Sequence, residues 1–187
     1  MASKQDLAQI KRGVREWNRW RQAAPLREHD LTHAHLSGAD LKSIDLSKVD
    51  LWHATLDGAD LSGATLRNTN FMCAELRATL LRGADISGSY LNNADLAKAD
   101  MNKANLEEAE LIDADLTGAI LTDANLTLAD LSDADFRGVI GLTQSQLDSA
   151  CASPDQPPKN LPNNGVQDAL VWRSGPCHNS GRVFWFH

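Results

Sequence analysis

Aromatic residues are scarce in this 187-residue chain: they make up 5% of it and include a single tyrosine. A core must therefore be filled by small and medium aliphatic side chains, within a hydrophobic content of 42%. No apolar run approaches the roughly 18 residues of a membrane span, and no membrane partner is expected. No apolar stretch precedes the charges of MASKQDLAQIKRGVREWNRW, so no secretory signal is expected either. The three cysteines, Cys73, Cys151 and Cys177, include no CxxC pair and suggest no disulfide framework, which makes a reducing cytoplasm the expected compartment. The GxSxG, P-loop and HExxH patterns are also missing. The chain is therefore read as a non-enzyme without catalytic residues, cofactor or metal.

Charge is unevenly distributed along the sequence. Residues 1–28 carry 7 basic and 3 acidic side chains, whereas residues 29–138 carry 8 basic and 19 acidic ones. The remainder is balanced, and the net charge is −7. An acidic body of this kind repels nucleic acid, so no direct nucleic-acid binding is expected, and it attracts basic partners.

What the sequence has in abundance is leucine, at every fifth position. The register runs Leu31, Leu36, Leu41 and onward to Phe136, which is 22 consecutive pentads without an insertion. Phe71, Ile86 and Met101 hold the same position as the leucines. Two residues before each centre stands a small side chain, usually alanine; Ile44, Val49, Thr69, Thr79 and Ser89 replace it, and His29 breaks the rule in the first pentad. A period of five is neither helical nor a simple strand alternation, in which an odd spacing would flip the leucine between faces. A short extended segment with the small residue and the leucine both inward, followed by a turn, satisfies it. Glycine at the last pentad position, as in Gly38, Gly58 and Gly63, suits a turn with positive φ. A turn in every pentad winds the chain into a coil, and coils stack at roughly 4.8 Å.

The A-[DN]-L-x-x signature, as in Ala39-Asp40-Leu41, Ala59-Asp60-Leu61 and Ala104-Asn105-Leu106, resembles the pentapeptide-repeat family. The resemblance implies an all-β fold, a right-handed quadrilateral β-helix with four pentads per coil and about five and a half coils. A rigid repeat solenoid generally presents a surface to another protein, so the architecture is read as a non-enzymatic rigid scaffold for protein–protein interaction, its partner another protein or a second copy in a homodimer. The resemblance implies an alternative, a DNA-mimicking regulator or protector of DNA gyrase or a related type II topoisomerase, with which the acidic body is compatible.

A stacked coil exposes unpaired backbone at both ends, so caps are needed. Residues 1–28 are read as an N-terminal capping unit. In it an amphipathic helix over 4–22 starts at the Ser3/Asp6 pair and presents Leu7, Ile10, Val14 and Trp17 to the first coil. Residues 29–140 are the repeat, which Phe136 plugs at its far end. Thr143 and Gln146 form a capping box for a short helix within 141–152. Residues 153–187 form a loop-rich tail in which a hairpin is one option.

The four-pentad coil sorts outward residues into four faces. One of them has no glycine at the last pentad position and carries Trp52, Met72, Tyr90 and Ile112 as an apolar stripe, the candidate protein-binding surface. The alternative is that the chain's own tail or N-terminal helix covers the stripe. His33, His53 and Cys73 share a column on this face; they are read as exposed ladder residues and not as metal ligands.

Overall fold

The computed structural model describes residues 2–23, 27–153 and 155–162. Its body is built from parallel bridges between residues twenty apart. Asp40 pairs with Asp60, Asp60 with Leu80, Leu80 with Asp100 and Asp100 with Ile120, and the same register holds in the other columns. Two of these pairings extend into short strands, β1 (His29–Asp30) and β2 (Val49–Asp50). Four pentads therefore separate stacked residues. The pentad centres are buried throughout, from 0% to 8% exposed, as are nearly all the small residues two before them. Each buried leucine contributes about 1.5–3 kcal/mol, so a core almost without aromatics still holds by repetition.

The backbone polar groups of a pentad can be followed one by one, as burial requires. Around Leu96, Asp95 N–H donates to Ala74 O in the coil before (3.0 Å), and Leu96 N–H donates to Asp115 O in the coil after (2.8 Å). Lys98 N–H likewise reaches Thr117 O, at 2.9 Å. Ala99 N–H closes the turn on Leu96 O, also at 2.9 Å. The remaining donor, Ala97 N–H, is taken by the side chain of Asp95 at 3.1 Å. This explains the aspartate or asparagine before 14 of the 22 centres: it closes an Asx turn on the one amide that the ladder leaves free. Glutamate is too long for that bond. At Glu75 and Glu110 a side chain of the preceding coil takes over, with Asp57 accepting from Arg77 N–H and Asn92 from Ile112 N–H.

The turn is left-handed at the last position of every pentad, from His33 to Gly138, with φ between +53° and +69°. Positive φ at the third residue of a four-residue turn is the type II signature. Only seven of these positions are glycine. The ladder bonds on either side hold fifteen other residues, Lys98 and Leu128 among them, in a conformation that costs roughly 1–2 kcal/mol per L-residue.

The N-terminal cap is not the single helix expected over 4–22. It is two helices, α1 (Lys4–Ile10) and α2 (Val14–Ala23). Gly13, at φ +96°, turns the chain between them. Ile10 and Trp17 are buried in the core, and Leu7 and Val14 are half-buried against it. Beyond apolar cover, the cap supplies the hydrogen bonds that a preceding coil would have made. Asp6 accepts from Asp30 N–H (2.8 Å) and Asn18 accepts from Asp45 N–H (2.9 Å). In the other direction Trp17 Nε1–H donates to Asp45 O, Arg21 to Ser47 O, Asn18 to Ser43 O and Ser3 N–H to Asp30 O. Asp6 is itself buried, beside His29 at 3.4 Å and Arg27 at 3.5 Å. Trp17 and Trp20 box His29 in, and burial lowers its pKa, with Asp6 opposing.

At the other end the ladder continues irregularly. Ile120 pairs with Ile140, Asp130 with Cys151 and Asp135 with Lys159. The offset grows because α3 (Gln144–Ser149) stands in for a pentad. Thr143 and Gln146 form a reciprocal capping box at its start. Gln146 Nε2 also donates to the carbonyls of Leu121 and Ala124, each at 2.9 Å. Phe136, Leu142, Leu147 and Ala150 are buried here. One expectation needs correction: Cys151 is disulfide-bonded, whereas Cys73 is free. Cys151 has no near neighbour of its own kind in sequence, so spacing gave no hint of the bond. The stretch for which a hairpin is one option lies outside the described residues.

Candidate interaction face

The coil sets Asp30, Asp50, Asn70, Tyr90, Glu110 and Asp130 in one bridged column. Beside it run the positions of Trp52, Met72, Asn92 and Ile112, and then those of His33, His53, Cys73, Asn93, Asp113 and Asp133. No lysine or arginine of the repeat lies on this face, while each of the other three holds at least two.

Trp52 is 39% exposed. It meets the rings of His33 and His53 edge-on, at centroid distances of 5.0 and 4.1 Å, and those two rings stack on each other at 5.3 Å, almost parallel. Met72, Tyr90 and Ile112 are half-buried, less open than an exposed stripe. Neighbours one coil above and one below, about 4.8 Å away, cover the flanks of any side chain in a column. Asn92, between Met72 and Ile112, is 8% exposed and folds against the surface, donating to Glu110 Oε2 at 3.1 Å. Asp50 accepts from Trp52 N–H and Asn70 Nδ2; burial raises its pKa and these bonds oppose the shift.

The column of His33, His53 and Cys73 does not converge on a point, because stacked parallel rings cannot aim their nitrogens at a common ion. Among the described residues no group of three or more His, Cys, Asp or Glu is placed to hold a metal. None of the described helices is long and apolar enough to cross a membrane.

Three features were not foreseen. Leu128 and Ile140 are 55% and 56% exposed, on other faces near the C-terminal end. Leucine at a turn position and isoleucine where the repeat prefers aspartate were the available signals. Arg67, Arg77 and Arg82 each pair with an aspartate eighteen residues on, Asp85, Asp95 and Asp100, across the step between coils. The three arginines are 62% exposed, so each pair contributes little although Asp100 itself is buried. Lys159, from beyond the repeat, bridges Asp133 (2.8 Å) and Asp113 (3.8 Å), bringing a cation onto the acidic end of the face.

This geometry has counterparts among known proteins. Residues 24–63, 44–83, 74–111 and 109–140 match the family described as pentapeptide repeats (8 copies). The chain belongs to the pentapeptide-repeat family. Its β-helix is similar to the pentapeptide repeat protein Rfr23 from the cyanobacterium Cyanothece 51142, with 28% identity and a TM-score of 0.54 over 66% of this chain and 92% of that one. Against alr5209 from Nostoc PCC 7120, another pentapeptide repeat protein, identity is 27% and the TM-score 0.47, over 75% and 95% of the two chains. QnrB1, a plasmid-mediated fluoroquinolone resistance protein, aligns at 17% identity and a TM-score of 0.30 over 68% and 81%, too low to carry an argument about function. No curated protein sequence matches the chain. The relatives establish a repeat scaffold and name no substrate or partner for it.

Proposed function

We propose that this pentapeptide-repeat protein is a non-enzymatic rigid scaffold that docks another protein on the face of Trp52, Met72, Tyr90 and Ile112. The finer geometry proposed with it is a right-handed quadrilateral β-helix of about five and a half coils; the twenty-residue pairing supports this. The observation that carries the functional reading is that this face alone lacks lysine, arginine and turn glycine within the repeat, while it holds the exposed Trp52. Around Trp52 and Met72 desolvation strands no lysine or arginine, and large apolar side chains without flexible cations are the composition of an interface centre. The test is capture from a native lysate by wild type and by a Trp52→Ser, Met72→Ser, Tyr90→Ser triple variant, with the fold checked by circular dichroism. A protein retained only by wild type supports the reading. Identical capture by both, or oligomers in wild type alone with no foreign protein bound, replaces it with a different surface or with a homodimer.

A second reading, a DNA-mimicking regulator of gyrase, is favoured by the acid-rich coils. Nine acids and no lysine or arginine lie between Ala104 and Phe136. Binding to a type II topoisomerase that weakens steeply with salt and is competed by duplex DNA would support it. Absence of such binding at low salt would remove it.

A further inference from the structure

The first coil has no coil before it, so its N-terminal rim presents backbone groups that every later coil pairs. In each wall these are the N–H and C=O of the residue before the pentad centre and the C=O of the residue after it. One coil further on they are all used. Thr55 N–H donates to Ala34 O (2.9 Å), while Thr55 O and Asp57 O accept from Leu36 N–H and Gly38 N–H (2.7 and 2.9 Å). On the rim the cap stands in for the missing coil over two walls. At the wall centred on Leu31, Asp6 takes Asp30 N–H, and the Ser3 and Ala2 amides fill Asp30 O and Thr32 O. At the wall centred on Leu46, Asn18 takes Asp45 N–H, and Trp17 and Arg21 fill Asp45 O and Ser47 O. At the other two walls, centred on Leu36 and Leu41, the same groups of His35, Ser37, Asp40 and Lys42 have no hydrogen-bond partner among the described residues.

These four residues are exposed, whereas Thr55, Asp57, Asp60 and Ser62 one coil on are half-buried. Leu36 and Leu41 behind the open rim are nevertheless buried, at 8% and 4% exposure, so the core closes without a cover over this edge. The cap thus replaces half of a coil and leaves the other half of the rim in water.

We propose that this open half-rim is a second docking site of the scaffold, and that its occupant is an extended, lysine- or arginine-bearing segment of another protein, added as one more rung of the parallel ladder. The site goes beyond the Trp52 face and lies on different walls. Unpaired N–H and C=O groups at a strand edge select a polypeptide backbone. Each open wall offers one donor and two acceptors, so the segment must bring more N–H than C=O to it. The capped half, continuous with the open one, shows the same demand met by Trp17, Asn18 and Arg21. Charge agrees. Over the first two coils these walls carry Asp40, Asp57 and Asp60 against a single cation, Lys42, which Asp60 already holds at 3.1 Å. A basic segment therefore fits, and an acidic one is repelled.

The test uses the full-length chain and a synthetic two-pentad peptide, Ala-Lys-Leu-Ser-Gly-Ala-Lys-Leu-Ser-Gly, read by amide hydrogen exchange. The His35 and Asp40 amides should exchange rapidly in the free protein and slow at least tenfold at millimolar peptide, with the Leu61 amide unchanged. A copy of the peptide N-methylated at both leucines lacks the donors for His35 O and Asp40 O and should give no protection. Asp40→Pro removes a rim donor that pairs with nothing in the chain and should abolish binding. Asp40→Lys leaves the backbone intact and should weaken binding several-fold, so the test stands even if the proline variant loses its circular dichroism. The Trp52→Ser, Met72→Ser, Tyr90→Ser variant should bind the peptide as wild type does; loss of binding there would place the peptide on the other face and overturn the proposal. Rim amides already protected in the free chain would overturn it by showing the edge covered from within. Protection that grows with protein concentration alone would replace the foreign segment with a second copy. Unchanged exchange at millimolar peptide, or equal protection by the N-methylated copy, would also refute backbone pairing at this rim.

Discussion

Asp6 is the sharpest place to perturb the fold, because one side chain substitutes for part of a missing coil. It is 1% exposed, and its carboxylate accepts from Asp30 N–H at 2.8 Å while facing Arg27 and His29. In Asp6→Ala the Asp30 amide is left buried without an acceptor, a loss of about 1–3 kcal/mol. Breaking a buried charged contact costs about 3–5 kcal/mol, but Arg27 is 37% exposed and regains water, so the lower end applies. The expected destabilisation is about 3 kcal/mol. Asp6→Asn keeps an oxygen for the Asp30 amide and should cost about 1–2 kcal/mol. Urea unfolding followed by far-UV circular dichroism reads the total, and amide exchange over residues 30–36 localises it. If Asp6→Ala unfolds with wild type, or Asp6→Asn is as damaging as Asp6→Ala, the carboxylate does not serve as the edge acceptor.

The same end should respond to pH. Burial lowers the folded-state pKa of His29 below its unfolded value of about 6.5, so the folded chain binds fewer protons than the unfolded one. This contribution is fully present above about pH 6.5 and is lost as pH falls from there through the lowered folded value. His29→Gln should flatten that part of a stability–pH curve, and an unchanged slope would refute the assignment. In the core, Leu61→Ala removes a fully buried side chain between stacked coils and should cost about 3–5 kcal/mol in urea unfolding; a loss below about 1 kcal/mol would mean that the stack collapses around it. At the turns, Lys98→Gly relieves left-handed strain and should stabilise by about 0.5–1 kcal/mol, while Lys98→Val should destabilise by at least about 1 kcal/mol. Equal melting temperatures for both variants would mean that the turn is not strained.

Much of the candidate face was readable in advance, since a fixed period assigns every outward residue to a column once the coil length is given. Trp52 could be placed with His33 and His53 on one face for that reason. Its edge-on contact with both rings could not be placed, nor the partial burial of Met72, Tyr90 and Ile112, because rotamers and neighbouring coils decide how much of a side chain water reaches. Asp6, Asn18 and Arg21 look like ordinary helix polar residues in sequence. Their role appears only where α1 and α2 lie across the open edge.

By itself the sequence determined which residues go inside and where the chain turns. Those features follow from a five-residue pattern whose backbone bonds close within one pentad or between equivalent pentads, so every repeat states the same local solution. The tertiary structure alone decided what happens where repetition stops. Gly13 breaks the cap in two, polar side chains replace absent coils, α3 displaces a pentad and Cys151 joins the ladder and a disulfide. At an end the missing neighbour is replaced by residues far away in sequence, and no periodic signal marks them.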